Sequence, residues 1–178
     1  PVVLTLQQLD TILHLSMKSI YTTGQNISFK DGTEKPCETD LVLMTRNRSG
    51  DMELVIGECK SNADISDADL RKDLDNLMKV AKAFSASRIN VYVLFSKTAD
   101  FTDSELTLFR DAYKSHHCPL ILLSRRELEL YEIYGWIEKK DAGKRIHVSA
   151  IEDLVSATVQ IYLKSDATGE NMGADVPN

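Results

Sequence analysis

Residues 40–60 read DLVLMTRNRSGDMELVIGECK, and their pattern decides the fold. Two apolar runs, Asp40 to Thr45 and Met52 to Cys59, flank the polar, glycine-containing segment Arg46-Asn47-Arg48-Ser49-Gly50-Asp51. That arrangement predicts a β-hairpin. Folding about Ser49 sets Asp40 opposite Glu58, and a slip of two residues still leaves both on one face. Directly opposed residues hold their Cβ atoms about 4.5–5.5 Å apart. Two carboxylates that close repel each other unless a cation joins them. Magnesium, or manganese in its place, accepts a few carboxylate oxygens and completes its shell with water. Lys60 continues the same face, beyond Met52, Leu54 and Ile56. An apolar strand thus ends in a carboxylate and an ammonium, groups that are costly to bury without a partner or a task. Cys59 points to the other face. Its thiol suits magnesium poorly, but its backbone carbonyl can turn toward a cation.

Helix starts surround this hairpin. Thr5 with Gln8, Ser66 with Asp69, Thr102 with Glu105, Ser124 with Glu127 and Ser149 with Glu152 each have capping-box spacing. The first predicts a helix carrying Leu6, Leu9, Ile12, Leu13, Met17 and Ile20 on one stripe. The second carries Leu70, Leu74, Leu77, Met78, Ala81 and Phe84, the third runs through Phe109 and Ala112, and the last runs to about Lys164. Ile89 to Ser96 and Leu120 to Leu123 suit strands buried on both faces, and Asn26 to Lys30 predicts a weaker edge strand. Trp136 to Lys140 and Lys144 to Val148, about Asp141-Ala142-Gly143, predict a late hairpin. Residues 165–178 lack periodicity and are expected to form a mobile tail. A strand–helix–strand unit implies parallel pairing and the hairpin antiparallel pairing. The expected class is therefore α/β: a mixed central β-sheet with helices on both faces, one domain over residues 1–164.

The 178 residues are 43% hydrophobic and 27% charged, within the range of an ordinary globular domain. No apolar run approaches the roughly 20 residues that span a bilayer, and no basic-then-apolar leader is present, so no membrane partner is expected. Cys37, Cys59 and Cys118 lie far apart and form no zinc pattern, which favours a reducing, cytoplasmic setting. Lys plus Arg number 21 against 27 Asp plus Glu, a net charge of −6. That balance disfavours a broad electrostatic grip on DNA. The chain opens on Pro1 rather than methionine, in keeping with processing or with a piece of a longer protein.

Asp40, followed across the hairpin by Glu58-Cys59-Lys60, resembles the D…(D/E)-x-K signature of the PD-(D/E)XK, or restriction endonuclease-like, nuclease superfamily. Thr39 stands where that family often has proline. The helix from Asp67 to Phe84 and the strand from Ile89 to Ser96 resemble the family's αβββαβ core order, over about residues 5–124. The resemblance implies a nuclease that hydrolyses phosphodiester bonds with Mg2+ or Mn2+, in DNA more than RNA. Asp40 and Glu58 would hold one or two ions with help from the Cys59 carbonyl, and Lys60 would orient the water or steady developing charge. It also implies a restriction, defence or mobile-element setting. The acidic balance then calls for a further domain, a partner subunit or a homodimer. The rival reading is a nuclease-like fold that no longer cuts and serves as an interaction or assembly module.

Other residues are weaker candidates. Glu38 falls opposite Lys60 in the same register and reads as its salt partner rather than a second metal ligand. Asp69, Lys72, Asp73 and Asn76 form a polar stripe that reads as a solvated helix face before anything else; related nucleases often place an auxiliary polar residue there, and by that resemblance Asp69 or Lys72 would face the site. Gln8 occupies a region where relatives sometimes carry a metal-binding glutamate; no glutamate precedes Glu34, so that accessory ligand is expected to be absent. Lys139, Lys140, Lys144 and Arg145, near Trp136, suit contact with a phosphate backbone and equally the blunting of an exposed strand edge. His116, His117 and Cys118 read as a helix-to-strand connection rather than a soft-metal site. His14 and His147 have no nucleophile or carboxylate at readable spacing.

Overall fold

The computed structural model describes residues 1–13, 19–30, 32, 35–47, 49–61, 65–84, 88–129 and 148–164. In chain order the elements are α1 (Val2–Leu13), β1 (Ile20–Ile27), β2 (Cys37–Arg46), β3 (Met52–Lys60), α2 (Asp67–Ala83) and β4 (Ile89–Lys97). After them come α3 (Asp103–His116), β5 (Leu120–Leu123), α4 (Arg125–Leu128) and α5 (Ile151–Thr158), the last continuing as a wider π-type turn over Val159–Leu163.

The hairpin forms in the register read from its sequence. β2 and β3 pair antiparallel from Leu41↔Gly57 to Arg46↔Met52. Its turn is closed by Asn47, whose side-chain oxygen accepts the Asp51 N–H at 2.8 Å and whose carbonyl accepts the Gly50 N–H at 3.0 Å. Gly50 sits at φ +89°, a conformation that a Cβ would strain. The five strands lie in the order β1-β2-β3-β4-β5. β1 is antiparallel to β2, and β3, β4 and β5 are mutually parallel. The sheet is therefore mixed, as expected, and β3 is its middle strand.

Alternation along the strands divides the core in two. Leu43, Val55, Leu94 and Ile121 pack with Leu9 of α1 and with Ile151 and Leu154 of α5. Leu54, Ile56, Val93 and Phe95 pack on the other face with Leu70, Leu74 and Leu77 of α2 and with Phe109 of α3. Burying each such side chain contributes about 1.5–3 kcal/mol. Both parallel crossovers carry their helix on the same side, as crossovers of one hand must. Gly57 marks a close approach inside the sheet, since a Cβ there would lie 3.0 Å from the Leu94 carbonyl oxygen.

Three of the five helix starts behave as read. The Ser66 hydroxyl accepts the Asp69 N–H at 3.1 Å. Thr102 with Glu105 and Ser124 with Glu127 form complete capping boxes, although α4 lasts only four residues. The other two differ. α1 begins at Val2, with the Thr5 N–H bonded to the Pro1 carbonyl at 2.9 Å. Thr5 thus lies inside the first turn, and its buried hydroxyl donates to Ser96 Oγ at 2.8 Å instead of capping. α5 begins at Ile151, where the Asp153 carboxylate accepts the Ser149 and Ala150 N–H groups; Asp153 does what Glu152 was expected to do. Its α-helical part ends at Thr158, short of Lys164.

Ile20 does not extend the α1 stripe; it opens β1 and is 76% exposed. The edge strand spans Ile20–Ile27 rather than Asn26 to Lys30, because the mostly polar IYTTGQNI takes its extended form from pairing with β2 and not from apolar alternation. The late hairpin up to His147 and the segment 165–178 lie outside the described residues.

Among the described residues, one charged pair is sealed in the interior. Lys97, at the end of β4, has 0% of its side chain exposed and donates to both oxygens of Glu105 at 2.7 and 2.9 Å. Glu105 also accepts the Thr102 N–H and so joins the end of β4 to the start of α3. Deleting one member of such a pair leaves an uncompensated buried charge. Glu105→Ala is expected to lower stability by about 3–5 kcal/mol in urea unfolding, and Lys97→Met in the same chain to recover much of the loss.

Candidate active site

β3 runs apolar from Leu54 to Ile56 beneath α2 and then ends in Glu58 and Lys60. At that point the β2–β3 ladder changes character. Past Leu41↔Gly57, side chains take over from backbone pairs: Thr39 Oγ1 donates to the Gly57 carbonyl at 2.8 Å, and the Cys59 N–H donates to Asp40 Oδ2 at 2.8 Å. Asp40 and Glu58 therefore sit one step beyond the ladder, on strand ends bridged by side chains.

Those ends open into a polar cavity of about 430 Å³. Asp40, Glu58 and Lys60 line it, as does Glu38 from β2, and α2 supplies Lys72, Asp73 and Asn76 from its second and third turns. Cys59 also borders the cavity, yet its thiol lies on the opposite face, 3.8 Å from Thr5 Oγ1. What Cys59 presents to the cavity is main chain. Burial pushes its thiol pKa up, which keeps the sulfur protonated and unreactive.

Lys60 Nζ lies 3.2 Å from Glu58 Oε2 and 2.7 Å from Asp73 Oδ2. The expected Glu38–Lys60 pair does not form, because Asp73 reaches the ammonium from the helix above while Glu38 stays exposed at the cavity rim. Asp69 does not line the cavity either; its carboxylate accepts the Ser66 hydroxyl at 2.7 Å at the helix start. Lys72 does line it. Asp73 stood out in the sequence only as one member of a stripe. Its spacing from Asn76 puts it on the right helix face, but its pairing with Lys60 depends on how α2 lies across β3.

Gln8 is a structural tie whose side-chain amide donates to the Leu128 carbonyl at 3.3 Å. His116 and His117 are exposed at the end of α3, with His117 in the left-handed conformation that stops the helix. Among the described residues no three or more His, Cys, Asp or Glu side chains converge as a metal cluster. Asp40 and Glu58 make two carboxylates, which together with water is what magnesium asks of a protein. Lys139, Lys140, Lys144 and Arg145 lie outside the described residues.

Electrostatics set Glu58 apart. Burial, with a smaller contribution from the Asp40 charge, raises its pKa to about 7 although Lys60 pulls it down. Burial alone would depress the Lys60 pKa, but the hydrogen bond to Asp73 and the charge of Glu58 outweigh it and hold the ammonium above its usual range.

No family model matches the sequence, and no curated protein matches it. Among solved structures, the chain is similar to the small subunit of a heterodimeric restriction endonuclease, at 13% identity and a TM-score of 0.47, over 88% of this chain and 76% of that one. Among the described residues no helix is long and apolar enough to cross a membrane.

A carboxyl whose pKa rises from 4.5 to about 7 on folding makes the folded state bind its proton more tightly than the unfolded chain does. The stability this confers is complete below pH 4.5 and is lost as pH rises through 7. Without divalent cations, the wild-type chain is expected to lose about 3 kcal/mol more than Glu58→Gln between pH 4.5 and pH 8 in urea unfolding. Equal losses in the two proteins would show that Glu58 ionises freely.

Proposed function

We propose that the chain is a divalent-metal-dependent nuclease domain that hydrolyses phosphodiester bonds, in DNA more than RNA. The observation that carries this reading is the convergence of Asp40, Glu58 and Lys60 in one polar cavity at the end of an apolar strand. Around a phosphodiester, each has work to do. Asp40 and Glu58 offer hard oxygen donors that fit Mg2+ or Mn2+, and the Cys59 main chain borders the same space. A bound ion supplies a water of lowered pKa and neutralises charge on the scissile phosphate. The Cys59 N–H holds the Asp40 carboxylate in a fixed orientation. Lys60 places an ammonium where it can orient the attacking water or steady charge developing on phosphorus oxygens.

Among the described residues, four carboxylates (Glu38, Asp40, Glu58, Asp73) face two ammonium groups (Lys60, Lys72) around the cavity. That excess draws in a dication and repels a phosphodiester until the cation has bound. With a net charge of −6, the chain leaves most of the grip on nucleic acid to a partner subunit, a further domain or a second copy. The resemblance of the Asp40…Glu58-Cys59-Lys60 motif supports a restriction, defence or mobile-element setting for this reading.

The test is incubation with supercoiled, linear and single-stranded DNA and with RNA, in Mg2+ or Mn2+ and again in EDTA. Wild type is expected to cut DNA only with metal, and Asp40→Ala and Lys60→Ala to cut at least about a hundredfold more slowly while still folded. If no substrate is cut and Mn2+ gives no thermal stabilisation, the chain is a nuclease-like interaction module instead.

A further inference from the structure

Lys60 faces two carboxylates of different kinds. Glu58 Oε2, at 3.2 Å, belongs to β3 and to the candidate metal site; Asp73 Oδ2, at 2.7 Å, belongs to α2 and makes the shorter contact. A dication on Glu58 would sit beside this ammonium, and like charges that close repel strongly in a half-buried setting. Loading the site therefore requires Lys60 to relinquish Glu58 without swinging free, and that requires a second counter-charge. Asp73 is placed to provide it. It lies on a helix anchored by the buried Leu70, Leu74 and Leu77, and only 19% of its side chain is exposed. α2 is further held at its N-terminus by the Ser66 cap and by Ser104 of α3, whose hydroxyl donates to the Asp67 carboxylate at 3.0 Å. Asp73 is thus a rigidly mounted anion, whereas Glu58 has two competing uses.

We propose that Asp73 is a positioning residue, the counter-ion that holds the Lys60 ammonium clear of Glu58 and so leaves Glu58 able to bind a divalent cation. This rests on the metal-site reading above. Asp73 acts through Lys60 and not as a ligand, so its effect depends on Lys60 being present. In Asp73→Asn, Lys60 turns wholly to Glu58 and competes with the cation. In Lys60→Met there is no competitor, and Asp73 has little left to do.

The experiment is Mn2+ titration by calorimetry on wild type, Asp73→Asn, Asp73→Glu, Lys60→Met and the Lys60→Met/Asp73→Asn double variant, with circular dichroism confirming the fold of each. Asp73→Asn is expected to weaken Mn2+ binding about tenfold, Asp73→Glu to restore most of it, and the double variant to bind as Lys60→Met does. Equal weakening by Asp73→Asn in both backgrounds would make Asp73 a direct electrostatic partner of the ion and overturn the proposal. So would unchanged binding by Asp73→Asn in the wild-type background. If wild type binds Mn2+ but the Lys60 dependence is missing, only this proposal fails; if wild type binds no Mn2+, the metal-site reading fails and takes the proposal with it.

Discussion

The hydrogen bond from the Cys59 amide to the Asp40 carboxylate is where the backbone ladder of β2 and β3 gives way to the candidate site. A ladder continued by backbone pairs would leave the ends of β2 and β3 as ordinary neighbours. Here the pairs stop at Leu41↔Gly57, and the Thr39 hydroxyl and Asp40 carboxylate bridge the ends instead. The cavity depends on that exchange. So does the mounting of Asp40, since one of its oxygens is tied to the main chain of the strand that carries Glu58.

A second constraint follows from the parallel pairing of β3 and β4. The register places Lys60 beside Lys97, two ammonium-bearing residues at adjacent strand ends beneath the same pair of helices. Each is answered by a carboxylate from the helix that follows its strand, Asp73 on α2 for Lys60 and Glu105 on α3 for Lys97. The outcomes differ with burial. Lys97 is sealed with Glu105, which also caps α3, so that pair joins two elements and has no access to solvent. Lys60 keeps 29% of its side chain exposed and opens onto the cavity, so its pairing can be exchanged.

The opposite face of the sheet carries a tie between helix and strands. Thr5 on α1, Ser96 on β4 and Cys59 on β3 form a buried polar cluster behind the candidate site, with Thr5 Oγ1 donating to Ser96 Oγ and lying near Cys59 Sγ. α1 is thereby fastened to the two strands that carry Glu58 and Lys97. This explains why Thr5, with capping-box spacing to Gln8, does not cap: inside the first turn its hydroxyl satisfies a buried strand residue, which is worth more than a bond to a solvent-accessible N–H.

The hairpin register, the antiparallel and parallel pairings within the sheet, three of the helix caps and the convergence of residues 40, 58 and 60 were legible in the sequence. All of these rest on short-range rules: side-chain alternation with period two, turn residues that close a hairpin, and hydroxyl–carboxylate spacing at helix starts. Tertiary structure alone decided that Asp73 and not Glu38 pairs with Lys60, that Thr5 faces Ser96, and that an almost featureless IYTTGQNI is an edge strand. Each of those depends on how one element lies across another. Periodicity says which face of a helix or strand a residue occupies, but only packing says which partner that face will meet.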